Sequence, residues 1–542
     1  MSLTDERAPT ATLFNHSYVF RAPDSTQRLP SAIRRIVIVG GGTAGWMTAM
    51  ILGHSLIPKG VEILLLESPS VGIIGVGEGS TPWLRGFFDS LGIEESEWMP
   101  ACNATYKCGI RFDGWSTKPG FESYFHPFAS MLDNLTMTQF VHNTHARLNG
   151  ADVHAHPNRF FIASQLAGHD LAPKPARNFP FDVWYGYHFD AGLLGEYLHR
   201  KAVERGVGYV PCHVTGAMLD QHGDIGSVSI RDGEPVAADV FVDCTGFAGL
   251  LIQQALGTPF LPFASNLFND AAVAMPTPIG DDIPSQTVSA AMRHGWRWQI
   301  PLTNRFGNGY VYSSSFCSAD DAERELRETL GLLDADAPAR HLKMKVGRVT
   351  KHWNRNCLAV GLAQGFIEPL EATALLFIQR TATAFVECLE AGDLGDGAHD
   401  RFNQRVNDHF EGTRDYIVTH YKTNTRRDTA YWRACAEMTS VSDSLRQLYG
   451  LWMSGRGIAA DVTRQTVGKG YPVFSWYCIL AGMGIFPDAN DLHAPSAAER
   501  RYSMEEIDNL LLRSAANFRP QRDVLKAIPK KVDERALQIY FW

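Results

Sequence analysis

The sequence predicts an α/β fold, a Rossmann-like dinucleotide-binding unit interleaved with a second, mostly helical region. Three observations carry this. A glycine fingerprint directly follows an apolar β-branched run, and an acidic residue ends a second such run about twenty positions later. Strand signals then return far downstream, between long helical stretches.

The fingerprint lies in Ile33–Trp46, IRRIVIVGGGTAGW. Ile36–Val39 suits a strand buried on both faces. Gly40, Gly42 and Gly45 fall on the G-x-G-x-x-G spacing, with Gly41, Thr43 and Ala44 between them. Glycines allow the tight turn and let the backbone approach a pyrophosphate. The helical pattern over Met47–Leu56 presents free N–H groups and a partial positive charge to that anion. Val61–Leu66 reads as the second strand. It ends at Glu67, whose carboxylate can accept a ribose hydroxyl.

Asp190–Arg205 is an amphipathic helix, with Leu193, Leu194, Tyr197, Leu198 and Ala202 on one side. Gly206–Val214 follows as a strand. Val228–Asp232 and Val236–Val242 read as a hairpin or meander that runs into Asp243-Cys244-Thr245-Gly246-Phe247. Asn356–Gly361 is a further strand, and Ala372–Ala391 a long helix. Residues near 34–80, 185–250 and 355–390 therefore share one cofactor unit. Such interleaving is that of large flavoproteins rather than simple dehydrogenases, so it favours FAD, with NAD as a direct redox partner left open by the first motif alone. Beyond Asp400 the pattern is helical over Phe402–Tyr421, Asp428–Met438, Ser440–Met453 and Met504–Phe518. The division expected is a variable arm over 1–30, an FAD-binding domain with interleaved substrate-side segments over 31–400, and a mainly helical region over 401–542 that completes the substrate pocket.

Composition narrows the function. A length of 542 residues exceeds one ordinary core, and 45% hydrophobic with 20% charged residues suits a soluble globular protein. A net charge of −8, without a Lys/Arg run, argues against nucleic acid or an anionic membrane as the main partner. The 9 cysteines include no C-x-x-C, which suggests reduced thiols and a cytoplasmic location. Met1–Pro30 lacks the apolar core of a signal peptide. His142/His145 and His154/His156 lack a Cys or carboxylate frame, so no metal is expected.

Several motifs line up with one family: GGGTAGW at Gly40–Trp46, GVGEGSTP at Gly75–Pro82, CNATYK at Cys102–Lys107 and FHPF at Phe125–Phe128. They continue with YHFDA at Tyr187–Ala191, VDCTGF at Val242–Phe247, GWRWQIP at Gly295–Pro301, FIEPLEAT at Phe366–Thr373 and YCILAGMG at Tyr477–Gly484. In these the chain resembles the flavin-dependent halogenases of the tryptophan-halogenase family. W-x-W-x-I-P is the most specific, because it separates halogenases from related flavin hydroxylases.

The resemblance implies a flavin monooxygenase-type fold and an enzyme that uses FADH2 supplied by a separate flavin reductase, O2 and a halide ion, bromide or chloride, to make hypohalous acid. Flavin contacts would come from Gly40, Gly41, Gly42, Thr43, Ala44, Gly45, Glu67, Val76, Val214, Leu362 and Leu375. Lys107 matches the family lysine, which holds hypohalous acid or forms a haloamine with it. A lysine taken alone is better read as solvated, and its place in CNATYK reverses that. Glu371 matches the carboxylate that stabilises the arenium cation and accepts the ring proton. Glu368, three residues earlier, reads as its structural partner. Thr373 and Ala374 would bind the halide at a helix start. His126 and Phe128 match substrate-pocket positions, and Trp296 and Trp298 would wall the route from flavin to substrate. A homodimer is compatible with the family.

Three departures shape the expected substrate. Ala372-Thr373-Ala374 stands where the family has Ser-Thr-Gly, so a methyl group sits beside the halide donors. GVGEGSTP replaces GVGEATIP. Asp461–Ser475, DVTRQTVGKGYPVFS, has no Glu and no Tyr-Tyr pair where tryptophan halogenases carry a segment that holds the amino-acid part of the substrate. An unpaired zwitterion is costly to bury. The expectation is halogenation of an indole or similar electron-rich aromatic, not free tryptophan, with bromide preferred. The alternative, a flavin-dependent aromatic hydroxylase, is disfavoured by Lys107 together with Trp296 and Trp298.

Overall fold

The computed structural model describes Leu29, residues 33–70, Gly72 and residues 77–529. The expected arm, apart from Leu29, and the expected flavin contact Val76 lie outside the described residues.

A six-stranded sheet runs in the order Trp353–Asn354, Cys357–Ala359, Val240–Asp243, Arg35–Val39, Glu62–Glu67, Gly208–Pro211. All neighbours are parallel except the first pair. The three distant stretches of sequence thus meet in one sheet. Pleating splits the apolar run of the central strand between two cores. Ile36 and Ile38 pack toward the helices, and Val37 and Val39 toward Val228, Phe241, Leu251 and Ile252 on the other face. Thr43–Leu56 packs against both Ala191–Glu204 and Ala374–Ala391. The register Val39↔Leu66 and Val39↔Asp243 aligns the carboxyl ends of the strands along one edge.

Three boundaries differ from expectation. The strand expected over 206–214 ends at Pro211, which has no N–H to continue a ladder, and Val214–Leu219 starts a separate antiparallel ribbon. The run 236–242 divides in the same way. Val236–Ala237 pairs with Ile225–Ile230, whereas Val240–Asp243 enters the main sheet. Between them the Asp239 carboxylate accepts the backbone N–H groups of Arg34 and Arg35 at 2.7 and 2.8 Å. The long helix begins at Ala374 rather than Ala372, because Ala372 takes a left-handed conformation with φ 56°.

The substrate side rests on a seven-stranded sheet, none of whose strands the sequence pattern singled out. Its order is Arg340–Lys343, Ala271–Thr277, Phe306–Tyr312, Gly295–Pro301, Thr287–Met292, Gly109–Asp113, Ser123–Pro127. A three-stranded ribbon of Glu78–Gly79, Gly186–Phe189 and Thr105–Lys107 accompanies it. The C-terminal third is helical, led by Asp396–Lys422 and Val473–Gly482. Among the described residues no helix is long and apolar enough to cross a membrane, and no cluster of metal-ligating side chains occurs.

Candidate functional site

At the carboxyl edge of the six-stranded sheet the chain turns at Gly40, whose φ is 114°. A side chain there would run into the Cys244 carbonyl, so the turn accepts only glycine. Glu67 folds its carboxylate over Gly41, and none of the described residues lies within 4 Å above Gly42. Thr43 and Ala44 open the helix directly beyond. This open backbone, with the helix N-terminus and an acid at the second strand's end, fits the diphosphate and ribose of a dinucleotide. Cys212 N–H donates to the Glu67 carbonyl at 2.9 Å, which brings Val214 to the same edge. Leu362 lies in the turn Gly361–Ala363, which packs on the helix whose first turn contains the buried Leu375. The described residues assigned to flavin thus gather at one edge and fit FAD.

Lys107 ends a strand of the three-stranded ribbon, paired with Gly186. Its ammonium is fully buried and has no hydrogen-bond partner among the described residues. It lies 5.5 Å from the centre of the Phe128 ring, and a methyl group at Gly79 would come within 3.1 Å of Nζ. Burial pushes the Lys107 pKa down to about 7, against the attraction of Glu371. His188 adjoins Lys107 across the ribbon. Its Nδ1 bonds to Thr105 Oγ1 at 3.1 Å and its Nε2 to Thr287 Oγ1 at 2.9 Å. The Thr105 hydroxyl donates to the Pro301 carbonyl, so Nδ1 carries the proton. Burial and the neighbouring Lys107 charge keep this imidazole neutral.

Glu371 ends the tight turn Pro369–Glu371. The left-handed Ala372 then reverses the chain, so that Glu371 is buried while the helix after it starts afresh. His126, on the edge strand Ser123–Pro127, donates from Nδ1 to Glu371 Oε2 at 2.9 Å. Its Nε2 accepts from the Ser475 hydroxyl at 2.9 Å. His420, on the helix Asp396–Lys422, places Nε2 3.3 Å from Glu371 Oε1. Burial would raise the Glu371 pKa, but the two imidazoles outweigh it and hold the group at about 2.

Glu368 points elsewhere. Its Oε2 accepts from Asn269 at 2.9 Å, Trp296 Nε1 at 2.9 Å and the Tyr421 hydroxyl at 2.6 Å. Trp296 is thereby fastened to a structural carboxylate. Trp298, two residues on along the same face of the strand, has its ring 6.3 Å from that of Trp296.

The folded chain brings Lys107, Glu371, His126 and Phe128 together from three separate elements. It leaves Thr373 and Ala374 at the mouth of the helix, with Thr373 buried and the Ala374 methyl exposed. Sequence reasoning missed His420, Tyr124, Tyr416, Tyr471 and Ser475. Tyr416 stacks on Tyr471 at 3.7 Å, and Tyr124 O–H lies 2.9 Å from His420 Nε2. Two of these, Tyr471 and Ser475, lie within the departing segment Asp461–Ser475.

A family model for tryptophan halogenases matches residues 35–499. The chain belongs to the tryptophan halogenase family. It is accordingly an enzyme, a flavin-dependent halogenase that uses FAD, oxygen and a halide, and members of its family depend on a separate flavin reductase and act on aromatic substrates. Tryptophan 6-halogenase SttH of Streptomyces toxytricini is 37% identical over 500 residues, covering 86% of this chain and 94% of that protein. Its crystal structure superposes with a TM-score of 0.79 at 35% identity, over 91% of this halogenase and all of that chain. A tryptophan halogenase from Shewanella frigidimarina gives a TM-score of 0.80 at 32% identity, over 93% of this chain and 100% of that one.

Proposed function

We propose that this halogenase acts on indole or a similarly electron-rich aromatic rather than on free tryptophan, and that it takes bromide in preference to chloride. One observation supports the substrate reading above others. The segment Asp461–Ser475 faces His126 with Tyr471, Phe474 and Ser475, all uncharged. Its Asp461 is turned away to Gln447, Gln465 and Arg464, and Lys469 is exposed. A zwitterion brought to this side meets no counter-charge from the segment itself, so the segment does not offset its desolvation.

Reduced FAD, when bound, supplies hypohalous acid from oxygen and halide. The residues do the rest. Gly40, Gly41, Gly42, Thr43, Ala44, Gly45 and Glu67 hold the dinucleotide, with Val214, Leu362 and Leu375 closing around it. Thr373 and Ala374 offer N–H groups to the halide. Lys107, with a pKa brought down to about 7, exists as both ammonium and amine near neutrality. The ammonium donates to hypohalous acid, and the amine can take the halogen as a haloamine. Phe128 and Trp298 wall the path. Glu371, ionised by its two histidines, stabilises the arenium cation, by about 4 kcal/mol for unit charges 4 Å apart at an effective dielectric near 20. It then accepts the ring proton. All nine cysteines are free, which supports a cytoplasmic location.

The test is a competition assay with NADH and an added flavin reductase, read by mass spectrometry. Indole is expected to outcompete tryptophan, and bromide equimolar chloride. Lys107→Ala is expected to abolish halogenation while flavin oxidation continues. A preference for tryptophan, or a Lys107→Ala variant that halogenates normally, would sink the corresponding half.

A further inference from the structure

The motif GVGEGSTP departs from GVGEATIP at Gly79, where a glycine stands in place of an alanine. The backbone does not demand it, because Gly79 has no positive φ. What glycine supplies there is space, and the three-stranded ribbon shows for what. Its middle strand Gly186–Phe189 pairs His188 with Gly79 on one side and with Thr105 on the other, and pairs Gly186 with Lys107. Gly79, His188, Thr105, Lys107 and Gly186 therefore share one face. With a glycine opposite it, the Lys107 side chain crosses the middle strand and brings Nζ to Gly79. A methyl group at Gly79 would lie 3.1 Å from Lys107 Nζ, 3.5 Å from Thr287 Oγ1 and 3.6 Å from His188 Cδ2. Two of these three are fastened. Thr287 Oγ1 is bonded to His188 Nε2 at 2.9 Å, His188 Nδ1 to Thr105 Oγ1 at 3.1 Å, and the Thr105 hydroxyl to the Pro301 carbonyl at 2.8 Å. The ammonium alone is unbonded among the described residues. An added methyl group would therefore press on Nζ, by about 0.4 Å if the two are to reach ordinary contact.

We propose that Gly79 sets the size of the halogen that Lys107 can hold. The halogen lies against Nζ whether it is bonded to the amine or still part of hypohalous acid, so halogen and Nζ share one space. That space is enclosed. Lys107 is fully buried, the Phe128 ring centre stands 5.5 Å from Nζ, and Gly79, Thr287 and His188 form the wall behind it. Phe128 is itself packed on the ribbon, since a methyl group at Gly186 would meet the Ser80 carbonyl at 2.6 Å and Phe128 at 3.2 Å. In such packing, volume added to one side is taken from the other. Glycine at position 79 lets Nζ draw back against the ribbon and leaves the difference to the halogen. Bromine is the larger of the two halogens and forms the longer bond, so it benefits more than chlorine. A methyl group at position 79 would give that volume back to the wall and tell first against bromine. Gly79 acts here through Lys107, as a positioning residue. Its effect is distinct from that of Ala374, which stands where the halide ion is proposed to bind before it is oxidised.

This inference rests on the assignment of Lys107 as the group that holds the halogen, and the test separates the two. Rates of indole bromination and chlorination are measured in separate reactions, each with one halide at saturation and an added reductase. The proteins are the wild type, Gly79→Ala, Gly79→Ser and Lys107→Ala. Serine places the same Cβ and adds an oxygen that can accept from the ammonium, so either Gly79 variant that binds FAD, followed by fluorescence, suffices. The ratio of bromination to chlorination is expected to fall by about threefold in these variants, less than the roughly tenfold that a whole methylene group is worth in a closed pocket. Only the change in ratio is read, so the outcome does not depend on which halide the wild type prefers. Formation of hypohalous acid is followed apart, without indole and with an excess of soluble scavenger, for Lys107→Ala alone and combined with Gly79→Ala. The scavenged bromide-to-chloride ratio is expected to be the same in both. A product ratio that stays put or rises overturns the proposal. So does a scavenged ratio that falls along with it, because Gly79 would then act on halide oxidation and not through Lys107. If Lys107→Ala halogenates indole at the normal rate, the assignment of Lys107 falls and the proposal with it. If Lys107→Ala is inactive and the ratio does not move, only the role of Gly79 fails.

Discussion

Lys107 shows how one side chain can owe its chemistry to burial. An amine in water is charged up to its ordinary pKa of 10.5, whereas here it is brought to about 7. Between those values the unfolded chain binds more protons than the folded one, so stability rises with pH across that window. Below it both states are charged, and the full cost of burying the ammonium is present. The expected outcome is a wild type that gains stability relative to Lys107→Met between about pH 7 and about pH 10, with a slope no steeper than about 1.4 kcal/mol per pH unit. Urea unfolding of both proteins at several pH values measures this. Parallel stability curves would mean that the ammonium is hydrated. In the role proposed for Lys107, the same depressed pKa makes the amine available for halogen transfer, so the destabilising feature and the proposed functional one share a cause.

Among elements, the turn and helix around Glu371 matter most. Pro369–Glu371, the left-handed Ala372 and the helix Ala374–Ala391 separate the two roles proposed for residues that adjoin in sequence. Glu371 points into the site, and the next residues present N–H groups at a helix mouth. Ala374 places its exposed methyl group at that mouth. Ala374→Gly removes the methyl group at a cost of at most about 1 kcal/mol of helix stability. The halide competition ratio is expected to move toward chloride, since the smaller and more strongly hydrated ion gains most from a closer fit. A ratio that stays put would take Ala374 out of the halide argument. Lys107, by contrast, belongs to a ribbon whose register with Gly186 fixes its depth, and no helix terminus is involved.

At the scale of the molecule, the six-stranded sheet carries the residues proposed to hold the cofactor, and the seven-stranded sheet with the C-terminal helices carries most of those proposed to react. The chain carries one G-x-G-x-x-G fingerprint. The purified protein without reductase is therefore expected not to consume NADH at turnover rates, while it takes up chemically reduced FAD and oxidises it in air. Absorbance at the nicotinamide band follows this directly. Steady NADH loss would reveal a nicotinamide site that the fold does not suggest.

The cofactor unit was legible because its signals are local. Strand, glycine turn, helix and acid follow within a few dozen residues, and Gly40 could be assigned from its neighbours alone. The motif-borne residues Lys107 and Glu371 were legible through resemblance, which carries identity but not environment. What only the tertiary structure decided is partnership. Glu371 meets His126 across 245 positions of sequence, while Glu368, three residues away, turns to Trp296, Asn269 and Tyr421. His420 sits in an ordinary helical pattern, and nothing nearby in the chain marks it. Spacing within a strand or helix states which side chains share a face. Which imidazole faces which carboxylate, and how much water is left between them, depends on the packing of elements far apart in the chain.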